Sequence, residues 1–320
     1  MDVLTYVKQK ANLNSLCLGV GTVFAGTGAA ALRGNMEVLS ASICMLFVIF
    51  AQLSVHFAHN YRAQAKLYDN LPRAKYSVTA EEPVSDKLAV RVLREASFGC
   101  GVIAAMLGLT ILTMARTPWW VIGVGLLIIL INYLLNFGKH PLYGRPATLG
   151  FTWLLFGPVG VIGTSVLQCN HEAVHLWGYY DLSPSYFLSI AVGCMACNVH
   201  IMYGYGMWRL NPNRQARGLT YEWGPRKVEA LFFINGLIAL GVVFFEAFYL
   251  NFLRPLTTVA PAFITFALNT FVAARMRHVP IGELQHLNTL VKWNYLLFGF
   301  VTFIVWWWVG SPDDSVMRYF

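Results

Sequence analysis

The stretch Val55-His56-Phe-Ala-His59-Asn60-Tyr61-Arg62-Ala-Gln-Ala-Lys66-Leu-Tyr-Asp69-Asn70 follows one apolar run, Leu39 to Ser54. A charged segment ending at Arg94 separates it from the next, Ala96 to Met114. About twenty apolar residues cross a bilayer as a helix. The stretch therefore reads as the place where the chain leaves a membrane helix and meets water, and chemistry is expected to start there.

The same pattern recurs outward in both directions. The 320 residues are 57% hydrophobic and 12% charged, with a mean hydropathy of +0.55, whereas soluble domains carry about 25% charged residues. Apolar windows fall at 15–32, 37–59, 96–114, 118–137, 148–167, 185–206, 229–249, 256–274 and 293–310. The expected fold is all-α: one domain over residues 1–320, with nine transmembrane helices around a central cavity. Met1 to Asn14 reads as a short amphipathic lead-in, and the first span as retained.

The net charge of +8 is best read through its distribution. With the N-terminus inside, only Arg33, Arg116, Arg254 and Arg318 of the 23 Lys and Arg residues fall outside. Basic residues collect in cytoplasmic loops. The chain is therefore expected in the inner, cytoplasmic membrane with its C-terminus outside, and the basic balance does not point to nucleic acid. The long polar loops all lie on the inside, so a site is expected to open there.

The first of these loops holds Pro72 and Pro83, and Val84 to Arg94 reads as a short helix lying on the membrane face. The second follows the sixth span and is broken by Pro212, Gly218 and Gly224. Their matching placement suggests a pseudo-repeat with one site between its halves.

Of the six cysteines, Cys194 and Cys197 have redox or metal spacing, but they sit mid-span without a second pair, which favours helix packing. His171-Glu172-Ala-Val-His175 has zinc-protease spacing but lies in a polar outside loop. Glu246 is an intramembrane carboxylate near the outer boundary, where ionisable groups are costly. Asn198 and His200 read as interhelical hydrogen-bonding groups.

Gly138-Lys-His-Pro141-Leu-Tyr143-Gly144, Leu149-Gly150 and Leu154-Leu-Phe156-Gly157-Pro158 resemble the UbiA superfamily of intramembrane prenyltransferases. Within it they are most similar to the 1,4-dihydroxy-2-naphthoate polyprenyltransferases of menaquinone synthesis, although Phe151 stands where that family has glutamate. The resemblance implies transfer of an isoprenoid from a diphosphate donor to an aromatic acceptor. It also implies two aspartate-rich motifs holding Mg2+ against the diphosphate, since hard cations take oxygen ligands. Carried onto this chain, the first motif falls on His59, Asn60, Ala63 and Asp69, where only Asp69 is a carboxylate. The second falls near Tyr203 to Asn211, with no acid between Asp181 and Glu222.

The resemblance thus implies Asn60, Asp69 and Asn211 as catalytic positions and Asp69 as the metal ligand. Around them stand Arg62, Lys66, Arg73, Tyr143, Tyr203, Arg209, Arg214 and Arg217 as substrate-binding candidates. Guanidinium groups bind diphosphate directly; the same charges also serve orientation and anionic headgroups. Two readings stand. One is an enzyme using an isoprenoid diphosphate. The other is a non-catalytic descendant that binds lipid or quinone or serves as a membrane subunit beside a protein partner.

Overall fold

The computed structural model describes residues 16–33, 36–70, 86–114, 123, 125, 146–168, 183–210, 212, 218–249 and 255–310. Among them all regular structure is helical. The helices are α1 (Cys17–Leu32), α2 (Val38–Asn70), α3 (Asp86–Met114), α4 (Pro146–Val166), α5 (Ser183–Leu210), the short α6 (Leu219–Trp223), α7 (Pro225–Tyr249), α8 (Pro255–Met276) and α9 (Leu284–Gly310). Seven, all but α1 and α6, are long and apolar enough to cross a membrane. The chain is a multi-pass helical membrane protein. At 1.5 Å per residue α1 rises about 24 Å, short of the roughly 30 Å hydrocarbon core. Of the nine expected spans, the fourth (118–137) lies outside the described residues but for Gly123 and Gly125.

Two boundaries differ from expectation for a physical reason. Val84 to Arg94 is not a separate surface helix: α3 starts at Asp86 and continues into the membrane. No Gly or Pro interrupts it before Gly99, so the hydrogen-bond ladder simply carries on. The last helix likewise begins before 293, because Leu284, Leu287 and Val291 recur at helical spacing and are buried.

Helix α5 is the axis. It is apolar all round, with Leu188, Val192, Met195, Ile201 and Met202 essentially inaccessible, the pattern of a helix enclosed by others. Helices α1, α4, α7, α8 and α9 share its core. The α2–α3 pair is peripheral: its membrane windows are 11% buried, against 72% for α5. Reciprocal bonds hold that pair together, Ser54 Oγ donating to Ser97 O (2.8 Å) and Ser97 Oγ to Ser54 O (2.9 Å).

Close backbone approach replaces the hydrophobic drive that lipid removes. Helices α1 and α9 run parallel and nearly touch: a Cβ at Gly299 would overlap the carbonyl of Gly21, and one at Gly310 that of Ala31. In α4, Pro158 lacks an N–H and conflicts with the carbonyl a turn earlier. The helix answers by widening into a π-turn over Leu155–Ile162. Gly157 in this turn lies against the backbone of Ser189 and Gly193 in α5.

Interhelical amides complete the packing. Asn198 Nδ2 donates to Phe232 O (2.9 Å), Asn235 Nδ2 to Asn198 Oδ1 (3.1 Å), and Asn294 Nδ2 to Thr265 O (3.1 Å). Cys194 and Cys197 are free and buried in α5, and Cys197 Sγ meets Leu149 O at 3.4 Å.

Candidate functional site

Helix α2 reaches the polar side of the bundle with Gln52, His56 and His59 spaced four and three residues apart, one helical stripe. That stripe faces the beginnings of α1 and α9. The Gln52 amide clamps the first turn of α1: with its atoms assigned to suit both partners, its oxygen accepts from Gly19 N–H (3.1 Å) and its NH2 donates to Leu16 O (3.2 Å). His56 lies within electrostatic reach of His59 and of Lys292 on α9. Lys292 in turn neighbours Cys17 at the start of α1. His56 and Lys292 are half-buried and His59 is exposed, so the cluster opens to solvent while its ammonium stem is held against the bundle.

One ammonium, from Lys292, with two imidazoles and a thiol as neutral N–H and S–H donors makes a set suited to an anion, since a partly buried cation attracts phosphate with little screening. They do not make a magnesium site. That cation takes oxygen ligands in near-octahedral array, and among the described residues no three His, Cys, Asp or Glu side chains gather. The donor chemistry of this cluster is wrong for Mg2+.

The sequence candidates fall as follows. Asn60 lies on α2 beyond His56, and its Nδ2 donates to His56 O at 3.0 Å. Arg62, Lys66 and Asp69 belong to the final turns of α2, with their side chains outside the described set. Arg73, Tyr143, Asn211, Arg214 and Arg217 lie outside the described residues, as do His171, Glu172 and His175. Tyr203 is 43% exposed on α5.

Arg209 is placed as a helix cap. Its Nη1 donates to Met276 O (3.3 Å) and Arg277 O (2.6 Å), and its Nη2 to Val279 O (3.0 Å). These are carbonyls at and just beyond the end of α8, where a cation satisfies orphan acceptors and the negative dipole end. Beside it Tyr205 Oη donates to Glu229 Oε1 (2.8 Å), and Glu229 also pairs with Arg277. This locks α5, α7 and α8 together on the polar side.

Sequence reasoning missed the role of Lys292, which reads as an ordinary loop charge until α9 is seen to extend past it. It also missed the Gln52-His56-His59 stripe, although the helical spacing was available as a signal. Glu246 is fully buried, and among the described residues neither carboxylate oxygen has a hydrogen-bond partner.

No protein-family model and no curated protein sequence matches the chain. A solved structure does: that of a digeranylgeranylglyceryl phosphate synthase in membranes, with a TM-score of 0.58. The match covers 93% of this chain and 98% of the other at 13% identity. At that identity the likeness is one of fold, and it extends over nearly the whole of both proteins.

Proposed function

We propose that the chain is a UbiA-type membrane protein of the prenyltransferase class, whose polar mouth receives the diphosphate of an isoprenoid donor on protein cations rather than on magnesium. The observation that carries this reading is that Lys292 of α9 lies within electrostatic reach of His56, which shares one stripe of α2 with His59. That stripe stands where the resemblance puts the first motif, and the fold likeness to a membrane synthase of an isoprenoid lipid supports the class. A dihydroxynaphthoate-type aromatic is the proposed acceptor, and the cytoplasmic membrane with the N-terminus inside is the proposed setting.

In that arrangement Lys292 offsets charge growing on the leaving diphosphate as the allylic C–O bond breaks, with the imidazoles as N–H donors beside it. The C–O electron pair departs with the diphosphate, the aromatic carbon supplies the new bond, and its ring proton goes to water. Arg62, Lys66, Arg73, Arg214 and Arg217 extend the cationic surface, with Tyr143 and Tyr203 against the substrate. Asn60, Asp69 and Asn211 remain the proposed catalytic positions.

A second reading is favoured by the donor set itself. With Asp69 the sole acid between Val55 and Glu81, the chain is a non-catalytic descendant that holds isoprenoid lipid or quinone, alone or beside a membrane protein partner. A transfer assay in nanodiscs with labelled polyprenyl diphosphate and dihydroxynaphthoate separates the two. Product that persists with chelator supports the first reading. Magnesium-dependent product overturns the metal-free site. Absent product with isoprenoid lipid co-purifying supports the second.

A further inference from the structure

On the opposite side of α2 from His56 lies a groove between α2 and α3, about 470 Å³ in volume. Ser54 and Ala58 line it, each two residues from His56 and so rotated roughly 200° around the helix. The groove is thus separate from the mouth described above. Small residues at Ala58, Gly101 and Ala105 leave its space open, and Phe98 and Val102 along it are 74% and 42% exposed. Tyr61 and Arg94 also line it, toward the polar ends of their helices.

Arg94 is exposed and makes no hydrogen bond or salt bridge among the described residues. The neighbouring carboxylate of Glu95 is taken by Arg91 at 2.8 Å. A guanidinium whose interaction with the described residues is a through-space attraction to Glu95 therefore stands above an apolar channel. From Arg94 to Ala105 the helix rises about 17 Å, close to the roughly 15 Å depth of one leaflet in a hydrocarbon core of about 30 Å. Charge at the water boundary and apolar length one leaflet deep match a single amphiphile, because a guanidinium fork pairs bidentately with phosphate.

We propose that the α2–α3 groove seats one anionic membrane phospholipid, with its phosphate on Arg94 and Tyr61 and one acyl chain lying along Gly101 and Ala105. The site is independent of isoprenoid binding and of any transfer reaction.

The test uses the full chain in mild detergent, titrated with phosphatidylglycerol or phosphatidylcholine and read by native mass spectrometry. The wild type is expected to take up one phosphatidylglycerol in preference to phosphatidylcholine. Arg94→Gln is expected to bind phosphatidylglycerol about tenfold more weakly, the size of one lost charge-assisted hydrogen bond. Ala105→Leu, at an exposed groove-lining position, fills the groove while keeping Arg94 and is expected to lose the lipid. Gly99→Leu, where a Cβ meets nothing, is expected to retain it. Unchanged uptake by both Arg94→Gln and Ala105→Leu overturns the proposal. A bimane label on Ala105→Cys supplies a second readout: quenching by spin-labelled phospholipid supports the site, and no quenching means that protein covers the groove and overturns it.

Discussion

The Tyr295 hydroxyl donates to Thr22 Oγ1 across 2.7 Å in a fully buried contact between α9 and α1. The direction follows from the neighbours. Thr22 Oγ1 also faces the carbonyls of Leu18 (2.8 Å) and Phe156 (3.2 Å), which only accept. The one Thr22 proton goes to a carbonyl, and Tyr295 must supply the other. Three helices thus meet at one hydroxyl, beside the π-turn that Pro158 imposes on α4.

That asymmetry ranks two variants. Tyr295→Phe removes a donor and leaves Thr22 with its carbonyls, at a cost of about 0.6 kcal/mol, typical between membrane helices. Thr22→Val strands a buried phenol, at about 1–3 kcal/mol. Thermal unfolding in detergent should place Thr22→Val well below Tyr295→Phe; equal midpoints would contradict the assignment of donor and acceptor.

Gly299→Ala forces α1 and α9 apart, because its Cβ meets the backbone of Gly21 and no flexible side chain can yield. A loss of about 2 kcal/mol or more is expected, in the range of overpacked cores. Gly241→Ala, where a Cβ meets nothing, should be neutral or slightly stabilising through its higher helix propensity. The pair is compared by the midpoint of unfolding in SDS.

Arg209→Gln leaves the α8 carbonyls short of donors. It is expected to cost about 1–3 kcal/mol and to raise proteolysis near Arg277, while affinity for isoprenoid diphosphate stays within about twofold. A large affinity loss without loss of stability would return Arg209 to the substrate site.

Lys292→Gln and His56→Gln bear on the mouth. Lys292→Gln should weaken isoprenoid diphosphate binding about tenfold, as expected for a lost charged contact, and His56→Gln by a few-fold, as expected for a neutral hydrogen bond, with chelator making no difference. Titration calorimetry with and without chelator reads both effects; wild-type affinity in both variants would remove the cluster from the site.

Glu246 carries a carboxyl with no hydrogen-bond partner among the described residues. Replacing a buried uncompensated group by a packed apolar one is often stabilising, by about 1–4 kcal/mol, so Glu246→Leu should raise the unfolding temperature. A lower temperature would show that the carboxyl has a stabilising partner in the membrane.

Hydropathy made the spans legible because lipid demands about twenty apolar residues per crossing, and Leu39 to Ser54 or Ala96 to Met114 could hardly be anything else. It overlooked what depends on helix ends and rotations. Lys292 reads as a loop charge because a hydropathy window starts where charge stops, whereas the helix starts where Leu284, Leu287 and Val291 first find a core. His56 of α2 comes within electrostatic reach of Lys292 of α9, and no local pattern encodes the rotation that brings this about. Arg209 drew attention through its charge, yet its place was decided by the carbonyls at the end of α8, which lie far along the chain.

The parallel, glycine-lined contact of α1 with α9 also sets a clock on assembly. As the chain is made in order, α1 exists long before α9 does. Until then its Gly21 and Gly28 face has lipid where Gly299 and Phe303 will lie. That edge stays on lipid until α9 displaces it, while α4 and α5 pack on α1 from other sides. A premature stop anywhere before α9 would leave that edge open to whatever neighbouring helix offers small residues.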